Sequence, residues 1–312
     1  MLDSLMLKKK PEEQQKKSGK EDIPSVRQKV LVTGGAGFIG SNLVKRLVAD
    51  GYEVVVLDNL STGVYQRLPK QAKFVKGDIE DDDTYRVIEG CTHVFHLAAK
   101  TDARENDDSV YRVNYLGSKK VFEAAKAVGA KVIFTSSAAV YGSAPVPHKE
   151  TAECAPITQY GKSKLKAEKL LNTESSLVVR LFNVYGPEGN SVINKYCKLI
   201  PNYKDIIVYG TGMQTRDYVY VDDVINALML GMELNGVYNI GTGLETKVVN
   251  AIDMISNVTM AKPTVKFDKP KQEIQRSKAD ITKIRNYWHP VVDLQKGIEL
   301  TLRSYGWKPL PV

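Results

Sequence analysis

Short apolar runs alternate with amphipathic stretches over the first half of the chain. The apolar runs have the length of β-strands and occupy residues 30–33, 53–58, 73–76, 93–99, 132–137 and 177–182. Helical patterns occupy residues 41–50, 81–89, 109–128 and 160–172. Strands that are apolar on both faces and alternate with helices are typical of a parallel sheet with helices on both sides. The pattern therefore predicts an α/β protein built on a doubly wound parallel sheet.

A glycine-rich turn joins the first strand to the first helix. It carries three spaced glycines, Gly34, Gly37 and Gly40, with Phe38 and Ile39 between the last two. The first glycine permits a tight turn, the second lets backbone N–H groups approach a pyrophosphate, and the third lets the helix pack closely on the strand. The helix N-terminus also stabilises an anion. The motif predicts a Rossmann-type dinucleotide-binding domain.

A carboxylate ends the second predicted strand, 18 residues after Gly40. Asp58 can accept a hydrogen bond from a ribose 2′-hydroxyl, and its charge would repel a 2′-phosphate. We therefore expect the cofactor to be NAD rather than NADP, with Asn59 contributing beside Asp58. A turn carboxylate without a ligand is the alternative interpretation.

Tyr160 and Lys164 have the spacing of two side chains on one helix face. An ammonium near the phenol would lower the pKa of Tyr160 and make it a usable base. Ser137 ends an apolar strand 23 positions before Tyr160 and completes a candidate proton-transfer site. An ordinary amphipathic helix can show the same spacing by chance.

These motifs together resemble the extended short-chain dehydrogenase/reductase family. Residues 134–142, 180–183 and 215–221 look most like the nucleotide-sugar 4-epimerases of the NAD-dependent epimerase/dehydratase group, typified by UDP-glucose 4-epimerases. The resemblance runs from about Val30 to Trp307. It implies a Rossmann-type sheet, a bound NAD and a UDP-hexose or related nucleotide sugar as substrate.

Further cofactor contacts are expected at the carboxyl ends of the later strands. Small side chains there leave room for a cofactor, and the resemblance implies an adenine-side pair, a helical amide and a nicotinamide-side aromatic. Asp78 could instead cap a helix, and Phe182 could instead pack in the core. The residues assigned to the cofactor in this way are Asp78, Ile79, Leu97, Ala98, Ala99, Asn114 and Phe182.

The resemblance also implies a mechanism. Tyr160 takes the proton from the sugar 4-hydroxyl while hydride passes from C4 to NAD⁺, and Ser137 hydrogen-bonds that oxygen. Lys164 holds Tyr160 acidic and binds the nicotinamide ribose. The keto-sugar then turns in the site and hydride returns to its other face, so the cofactor is recycled.

The two residues after Ser137 bear on the choice between neighbouring reactions. Relatives that eliminate water carry an acid there, whereas this chain has Ala138 and Ala139. Losing a general acid costs about 10²–10⁴-fold in rate, so epimerisation is favoured over dehydration and decarboxylation. Another NAD-dependent nucleotide-sugar oxidoreductase or dehydratase remains an alternative. A non-catalytic NAD sensor or scaffold is a third, against which the intact catalytic residues argue.

Substrate contacts are expected from the second half of the chain. Asn183 and Arg216 match family positions that contact the sugar diphosphate, and an arginine fork suits a diphosphate. The Arg-x-Gly-Asp-like segment of the family is altered here, so that Lys269 or Lys271 would act with Glu273. Thr101 also stands where many relatives have lysine.

A gate beside the sugar 2-substituent is expected at Ser277, two residues before the segment 279–283 that resembles the family's Ala-Asp-x-Ser/Thr-Lys. A serine there would admit an N-acetylated sugar. Ser277 could also be a surface residue.

The chain divides by composition into three parts. Residues 1–28 are rich in Lys, Glu and Gln and lack an apolar signal core, so a disordered tail is expected. Residues 29–180 form the predicted NAD-binding domain. Residues 181–312, where prolines and glycines interrupt short strands at 206–209 and 236–240, form the predicted substrate-binding lobe, part of which is expected to return to the sheet.

Composition excludes several other roles. Of 312 residues 43% are hydrophobic, yet no apolar run approaches the roughly 18 residues of a membrane span. The net charge of +8 comes from scattered basic residues without an arginine-rich stripe, which argues against nucleic-acid binding. Three cysteines form no metal spacing and cannot all pair, which favours the reducing cytoplasm. His93 and His96 should point to opposite faces of a strand, so no catalytic metal is expected.

Apolar stripes on the helical segments 109–128 and 160–172 exceed what one sheet face requires. Relatives pair these helices between subunits, so a homodimer is expected. An internal core stripe is the alternative.

Overall fold

The computed structural model describes residues 28–82, 84–101, 108–270 and 273–309. The predicted charged tail, apart from its last residue, lies outside the described residues.

Helices and strands alternate through the described part of the chain. The strands are β1 (Lys29–Thr33), β2 (Glu53–Asp58), β3 (Lys73–Lys76), β4 (His93–His96), β5 (Lys131–Ser137), β6 (Leu177–Leu181), β7 (Asn183–Tyr185), β8 (Ile206–Tyr209), β9 (Thr215–Arg216), β10 (Tyr218–Tyr220), β11 (Gly236–Ile240), β12 (Thr246–Lys247) and β13 (Val265–Asp268). The helices are α1 (Phe38–Ala49), α2 (Thr84–Ile88), α3 (Asp108–Tyr111), α4 (Ser118–Val128), α5 (Gln159–Glu168), α6 (Val192–Leu199), α7 (Val221–Met229), α8 (Val248–Thr259) and α9 (Leu294–Ser304).

One parallel sheet organises the molecule. In the described residues it has seven strands in the order β11-β6-β5-β4-β1-β2-β3. β1 pairs in parallel with β2 on one side and with β4 on the other, so the strand order reverses at β1. The predicted doubly wound α/β architecture is confirmed. β11 lies beside β6, so part of the C-terminal region returns to the sheet as expected.

Alternate strand residues face two different apolar layers. Val30 and Val32 pack in the same cluster as Leu43 of α1 and Val224 of α7. Leu31 faces the opposite way and packs with residues of α2 and α4. The strands β1, β2, β4, β5 and β6 are buried on both faces, which explains their continuous apolar sequences.

The smaller lobe is built from paired short strands and the later helices. β7 pairs with β10, β9 with β12 and β8 with β13. β7 begins only two residues after β6 ends, so this lobe starts at the carboxyl edge of the main sheet.

Some element bounds differ from the predicted ones. Helix α5 ends at Glu168 rather than at residue 172, because tighter turns follow and the Asn172 side chain accepts a hydrogen bond from the Glu174 amide. The predicted helix 109–128 contains a wider π-helical turn at Arg112–Gly117. β4 ends at His96, and α2 begins at Thr84 rather than at residue 81.

Within the described ranges, none of the helices combines the length and the apolar character that spanning a membrane would require.

Candidate active site

A large cleft opens where the strand order reverses. It has a volume of about 1110 Å³ and is lined by residues at or just beyond the carboxyl ends of β1, β2, β3, β4, β5 and β6. This edge is where ligands bind in open α/β sheets.

The glycine turn forms one wall of the cleft. Gly34 has a φ of +69°, and a Cβ atom there would lie 2.6 Å from the Ala98 amide nitrogen. A Cβ at Gly40 would lie 2.2 Å from the Gly34 carbonyl oxygen, so only glycine lets α1 begin this close to the turn. Gly37, Phe38 and Ile39 also line the cleft, and Gly37 offers no side chain to cap the helix. The arrangement fits a pyrophosphate approaching the N-terminus of α1.

Asp58 is fixed at the end of β2. Its carboxylate accepts hydrogen bonds from the Ala36 amide at 2.9 Å and the Leu60 amide at 2.8 Å. The residue is only 8% exposed, and the surface that remains faces the cleft. The carboxylate is therefore held beside the glycine turn, where a ribose hydroxyl can reach it and a phosphate would be repelled.

The adenine-side residues lie beside Asp58. The Asn59 side-chain amide donates to the Asp78 carboxylate at 2.8 Å, and the Glu80 amide donates to the same carboxylate at 3.0 Å. Asp78 thus orders a turn rather than capping α2, which begins at Thr84. Ile79 is 4% exposed and lines the cleft with these residues.

Leu97, Ala98 and Ala99 line the cleft after β4, as predicted from their small size, but Asn114 does not. Asn114 is fully buried and exchanges two hydrogen bonds with the backbone of Lys100, at 2.7 and 2.9 Å. Its amide also donates to the Ser163 hydroxyl at 3.1 Å. Asn114 therefore joins the loop after β4 to helix α5, instead of lining the cofactor cleft.

Ser137, Tyr160 and Lys164 come together in the cleft. The Ser137 side chain interacts with the Tyr160 phenol, and this interaction lowers the pKa of Tyr160. The Lys164 ammonium donates to the Thr135 carbonyl at 2.9 Å and lies 4.7 Å from the centre of the Phe134 ring. Thr158 caps α5 by accepting from the Gly161 amide at 3.0 Å.

A glycine permits the approach of α5 to the end of β5. A Cβ at Gly161 would lie 2.5 Å from the Ala139 carbonyl oxygen, so a larger residue would push Tyr160 away from Ser137.

The pKa of Tyr160 differs from the sequence expectation. Burial raises it to about 12, and the hydrogen bond from Ser137 opposes this rise. The expectation that Lys164 makes the phenol acidic is therefore wrong for the protein alone. The reason is that burial of the phenol is the main influence on its pKa. Burial also lowers the pKa of Lys164 to about 7, with Glu168 opposing that shift.

The two histidines of β4 have structural partners. His96 is buried between the hydroxyls of Thr33 at 2.6 Å and Ser118 at 2.9 Å. Burial, assisted by the Lys164 charge, lowers the pKa of His96 to about 3. His93 contacts the Met232 carbonyl instead, so the two rings do not converge.

Phe182 combines both roles considered for it: it belongs to the core cluster, being 5% exposed, and it lines the cleft. Its amide donates to the Ile240 carbonyl at 3.0 Å, which fixes the end of β6 against β11.

Three residues expected to contact the substrate, Asn183, Arg216 and Ser277, are not among the residues that line the cleft. The Arg216 guanidinium pairs with the Glu273 carboxylate at 2.6 Å. The backbone N–H of Asn183 donates to the Asp217 carbonyl at 2.9 Å, and Ser277 is 5% exposed. These three assignments remain predictions. The Lys269 amide donates to the Asp268 carboxylate at 2.7 Å, and Lys271 lies outside the described residues.

Sequence reasoning missed several groups that line the cleft. Thr135 and Ser136 directly precede Ser137 in β5, and their hydroxyls could have been noticed from that position. Lys100 also lines the cleft. A lysine is therefore present one residue before Thr101, the position at which many relatives have lysine. Ser61, Thr62 and Asn190 line the cleft as well, but they come from loops whose positions no local pattern predicts.

Comparison with known proteins identifies the family. The model of the NAD dependent epimerase/dehydratase family matches residues 30–241. The chain is 36% identical to a putative UDP-glucose 4-epimerase of Methanocaldococcus jannaschii, with 89% of this chain and 97% of the relative covered.

Two solved structures share the fold at comparable identity. A UDP-glucose 4-epimerase from Thermotoga maritima, solved with UDP-glucose, has a TM-score of 0.84 at 34% identity, with 89% and 99% of the two chains covered. A UDP-N-acetylglucosamine 4-epimerase from Methanobrevibacter ruminantium, in complex with UDP-N-acetylmuramic acid, has a TM-score of 0.85 at 31% identity, with 89% and 98% covered. The expectation of NAD as cofactor is confirmed by the family. From its glycine-turn cleft, its Ser137, Tyr160 and Lys164 and this extent of similarity, the chain belongs to the NAD dependent epimerase/dehydratase family.

Proposed function

We propose that the protein is an NAD-dependent 4-epimerase of UDP-hexoses. One observation carries the proposal: Ser137, Tyr160 and Lys164 converge in the same cleft that the glycine turn and Asp58 line. A proton-transfer group and a dinucleotide site in one cleft are what reversible oxidation of a sugar hydroxyl requires.

The side chains of this protein handle the proton and orient the sugar. Tyr160 accepts the proton of the substrate 4-hydroxyl and later returns it, and Ser137 hydrogen-bonds the same oxygen. Lys164 keeps a positive charge beneath the site, directed by the Thr135 carbonyl. Bound NAD⁺ would supply the hydride acceptor for C4, and its positive charge would favour the ionised phenol. Because burial raises the pKa of Tyr160 in the protein alone, the phenol would need that charge to act as a base near neutral pH.

The cleft lacks an acid where dehydration would need one. Ala138 and Ala139 follow Ser137 in a short helical turn. Among the described residues that line the cleft, the acids are Asp58, Asp78 and Glu80, all at the β2–β3 end away from Tyr160. A C5 proton would find no carboxylate to accept it, which supports epimerisation over elimination of water.

A nucleotide sugar suits the lobe beside the catalytic residues. Arg216 and Glu273 form a partly buried pair whose guanidinium can turn to a diphosphate, and Asn183 follows β6 directly. Relatives named for UDP-glucose and for UDP-N-acetylglucosamine support UDP as the nucleotide. We infer that Ser277 lies beside the sugar 2-substituent and leaves room for an N-acetyl group.

We also infer a homodimer. Of the apolar residues that form the predicted stripes, Val110, Val121 and Ala124 are fully buried in the core of the protomer, whereas Val128 and Leu170 remain exposed. Tyr111 on α3 and Leu116, which precedes α4, add to this exposed apolar surface. Pairing of these surfaces between two copies would cover them. Light scattering at micromolar concentration should give twice the protomer mass; a monomer contradicts the inference.

A cytoplasmic location is consistent with the cysteines. Cys91, Cys154 and Cys197 are all unpaired, and burial raises the pKa of each thiol. Cell fractionation followed by detection of the protein tests this, and recovery outside the cytoplasmic fraction contradicts it.

The function is tested by incubating the protein with a panel of UDP-, dTDP- and GDP-sugars and identifying products by NMR. We expect UDP-glucose and UDP-galactose to interconvert with no net formation of NADH. Accumulating NADH or a dehydrated sugar would support the oxidoreductase or dehydratase alternative. No turnover of any sugar would support a binding protein.

A further inference from the structure

A buried ion pair lies behind the catalytic lysine. Glu168 is the last residue of α5 and Arg180 lies on β6, and their side chains are 7% and 8% exposed. The Arg180 guanidinium donates to the Glu168 carboxylate through Nη2 at 2.8 Å and through Nε at 3.1 Å. The carboxylate also accepts a hydrogen bond from the Ser136 hydroxyl, which lines the cleft.

Glu168 has a special place on helix α5. It follows Lys164 by one turn, so the two side chains share a helix face. It is also the only acidic residue in the helix, which carries three lysines, Lys162, Lys164 and Lys166. Ser136, which donates to Glu168, is the neighbour in β5 of Thr135, whose carbonyl holds the lysine. Neighbouring residues at the end of β5 therefore bind both the Glu168 carboxylate and the Lys164 ammonium.

Stability alone does not explain this pair. Burying two charges is costly, and a well-packed apolar pair is often at least as stable. The Arg180 Nη1 group also donates to the Tyr141 hydroxyl at 3.0 Å and to the Glu150 carbonyl at 3.2 Å. Because these buried polar contacts hold the Glu168 carboxylate in place at a cost in desolvation, we look for a functional role of its charge.

That role follows from the charged and titratable groups around Lys164. On its own helix they are Tyr160 and Glu168, and from β5 they are the Thr135 carbonyl and the Phe134 ring. From β4 comes His96, which is neutral near pH 7 because burial lowers its pKa to about 3. Arg180 on β6 stands behind Glu168.

Of these groups, Glu168 carries the negative charge. Burial lowers the pKa of Lys164 to about 7, and the Glu168 charge opposes that shift.

We propose that Glu168 is a positioning residue for the catalytic site: its buried carboxylate, anchored by Arg180 and Ser136 one helical turn after Lys164, keeps the Lys164 side chain charged beside the cleft. The catalytic importance of that charge rests on the proposed function, whereas the coupling between Glu168 and Lys164 does not. Without Glu168 the Arg180 charge stands uncompensated near the lysine, and Lys164 loses its proton at a lower pH.

The coupling is tested by NMR titration of the lysine side-chain amines in isotope-labelled full-length protein, with Lys164→Met identifying the Lys164 signal. Glu168→Gln should lower the titration midpoint of Lys164 by about 1 pH unit, the lower end of what a close opposite charge produces, because Arg180 already balances part of the Glu168 charge. The alkaline limb of kcat/KM with UDP-glucose should move down in pH by the same amount.

Two further variants keep the test decisive. Asp223→Asn removes an equally buried carboxylate from α7, which accepts from the Val291 and Val292 amides, and should cost stability without moving the Lys164 midpoint. Glu168→Gln with Arg180→Met removes the whole pair and should shift the midpoint less than Glu168→Gln alone. An unmoved Lys164 midpoint in the Glu168 variants overturns the proposal, even if sugar turnover is normal. A lowered midpoint in a protein that turns over no sugar would sustain the coupling and reject the proposed function.

Discussion

The glycine turn permits a prediction that separates folding from cofactor binding. A methyl group at Gly40 would lie 2.2 Å from the Gly34 carbonyl oxygen and 2.7 Å from the Gly35 Cα. Both obstacles are backbone atoms in the tight turn, so a side-chain rotation cannot relieve the contact. The turn and the start of α1 must separate by about 1 Å to reach ordinary contact distance.

The expected cost follows from two opposing effects. Overpacking of this kind costs about 1–3 kcal/mol, and the backbone contacts here favour the upper end. Alanine in a helix gains about 1 kcal/mol over glycine, which offsets part of that cost. Gly40→Ala should therefore lower the free energy of unfolding by about 2 kcal/mol. For a chain of 312 residues that is a fall in Tm of roughly 3 °C.

Gly37→Ala is the matched control. Its methyl group would meet a single atom, the Gly34 carbonyl oxygen at 3.1 Å, and the backbone there is extended, which any residue tolerates. The Tm without cofactor should change by less than about 2 °C. However, Gly37 lines the cleft, so the methyl group would enter space needed by the pyrophosphate and weaken NAD binding.

Thermal unfolding of both variants without NAD, followed by calorimetric titration with NAD, measures the two effects. The reasoning is refuted if Gly40→Ala melts at the parent temperature, or if Gly37→Ala binds NAD as tightly as the parent.

Three further predictions address the cofactor, the pH dependence and the sugar. Asp58→Ser should erode the preference for NAD over NADP, because the carboxylate that repels the 2′-phosphate is gone; a parent that already binds both equally in a titration rules out this role. His96 should make the protein less stable in acid, because its pKa is about 3 in the folded protein and 6.5 in the unfolded chain. Between these values the unfolded chain binds a proton that the folded protein does not. The free energy of unfolding should therefore fall by up to about 1.4 kcal/mol per pH unit as pH drops from 6.5 towards 3. Denaturant unfolding at several pH values in that range gives the free energy of unfolding as a function of pH. This dependence should be shallower for His96→Gln but not for a substitution of the exposed His289, and equal slopes for the parent and His96→Gln contradict the prediction. Ser277→Tyr should lower kcat/KM for UDP-N-acetylglucosamine relative to UDP-glucose, and an unchanged ratio removes Ser277 from the gate.

Features that depend on local spacing could be predicted from the sequence. The glycine turn requires glycine at fixed positions, so the spacing of Gly34, Gly37 and Gly40 was enough to predict the tight turn between β1 and α1. The buried strands have continuous apolar runs, so the sheet was also predictable. The helical spacing of Tyr160 and Lys164 put both side chains on one face, and Ser137 lies at a strand end that the pattern also indicated.

Features that depend on contacts between distant segments could not be predicted. Asn114 joins Lys100 to Ser163, and no local pattern relates these positions. Likewise, no local pattern relates Arg180 on β6 to Glu168 on α5, with which it forms an ion pair. The pKa of Tyr160 was misjudged because desolvation depends on how many atoms the fold packs around the phenol. The end of α5 was misjudged because tight turns and the Asn172 side chain competed with the helix.

The central claim is that Tyr160 is the base in a reversible oxidation of the sugar. The most direct test measures interconversion of UDP-glucose and UDP-galactose by the parent and by Tyr160→Phe, together with the Tm and the NAD affinity of both. The account predicts that the variant keeps the Tm and NAD affinity of the parent while its turnover falls by at least about 10²-fold. Turnover near that of the parent in a folded, NAD-bound Tyr160→Phe protein would contradict the claim.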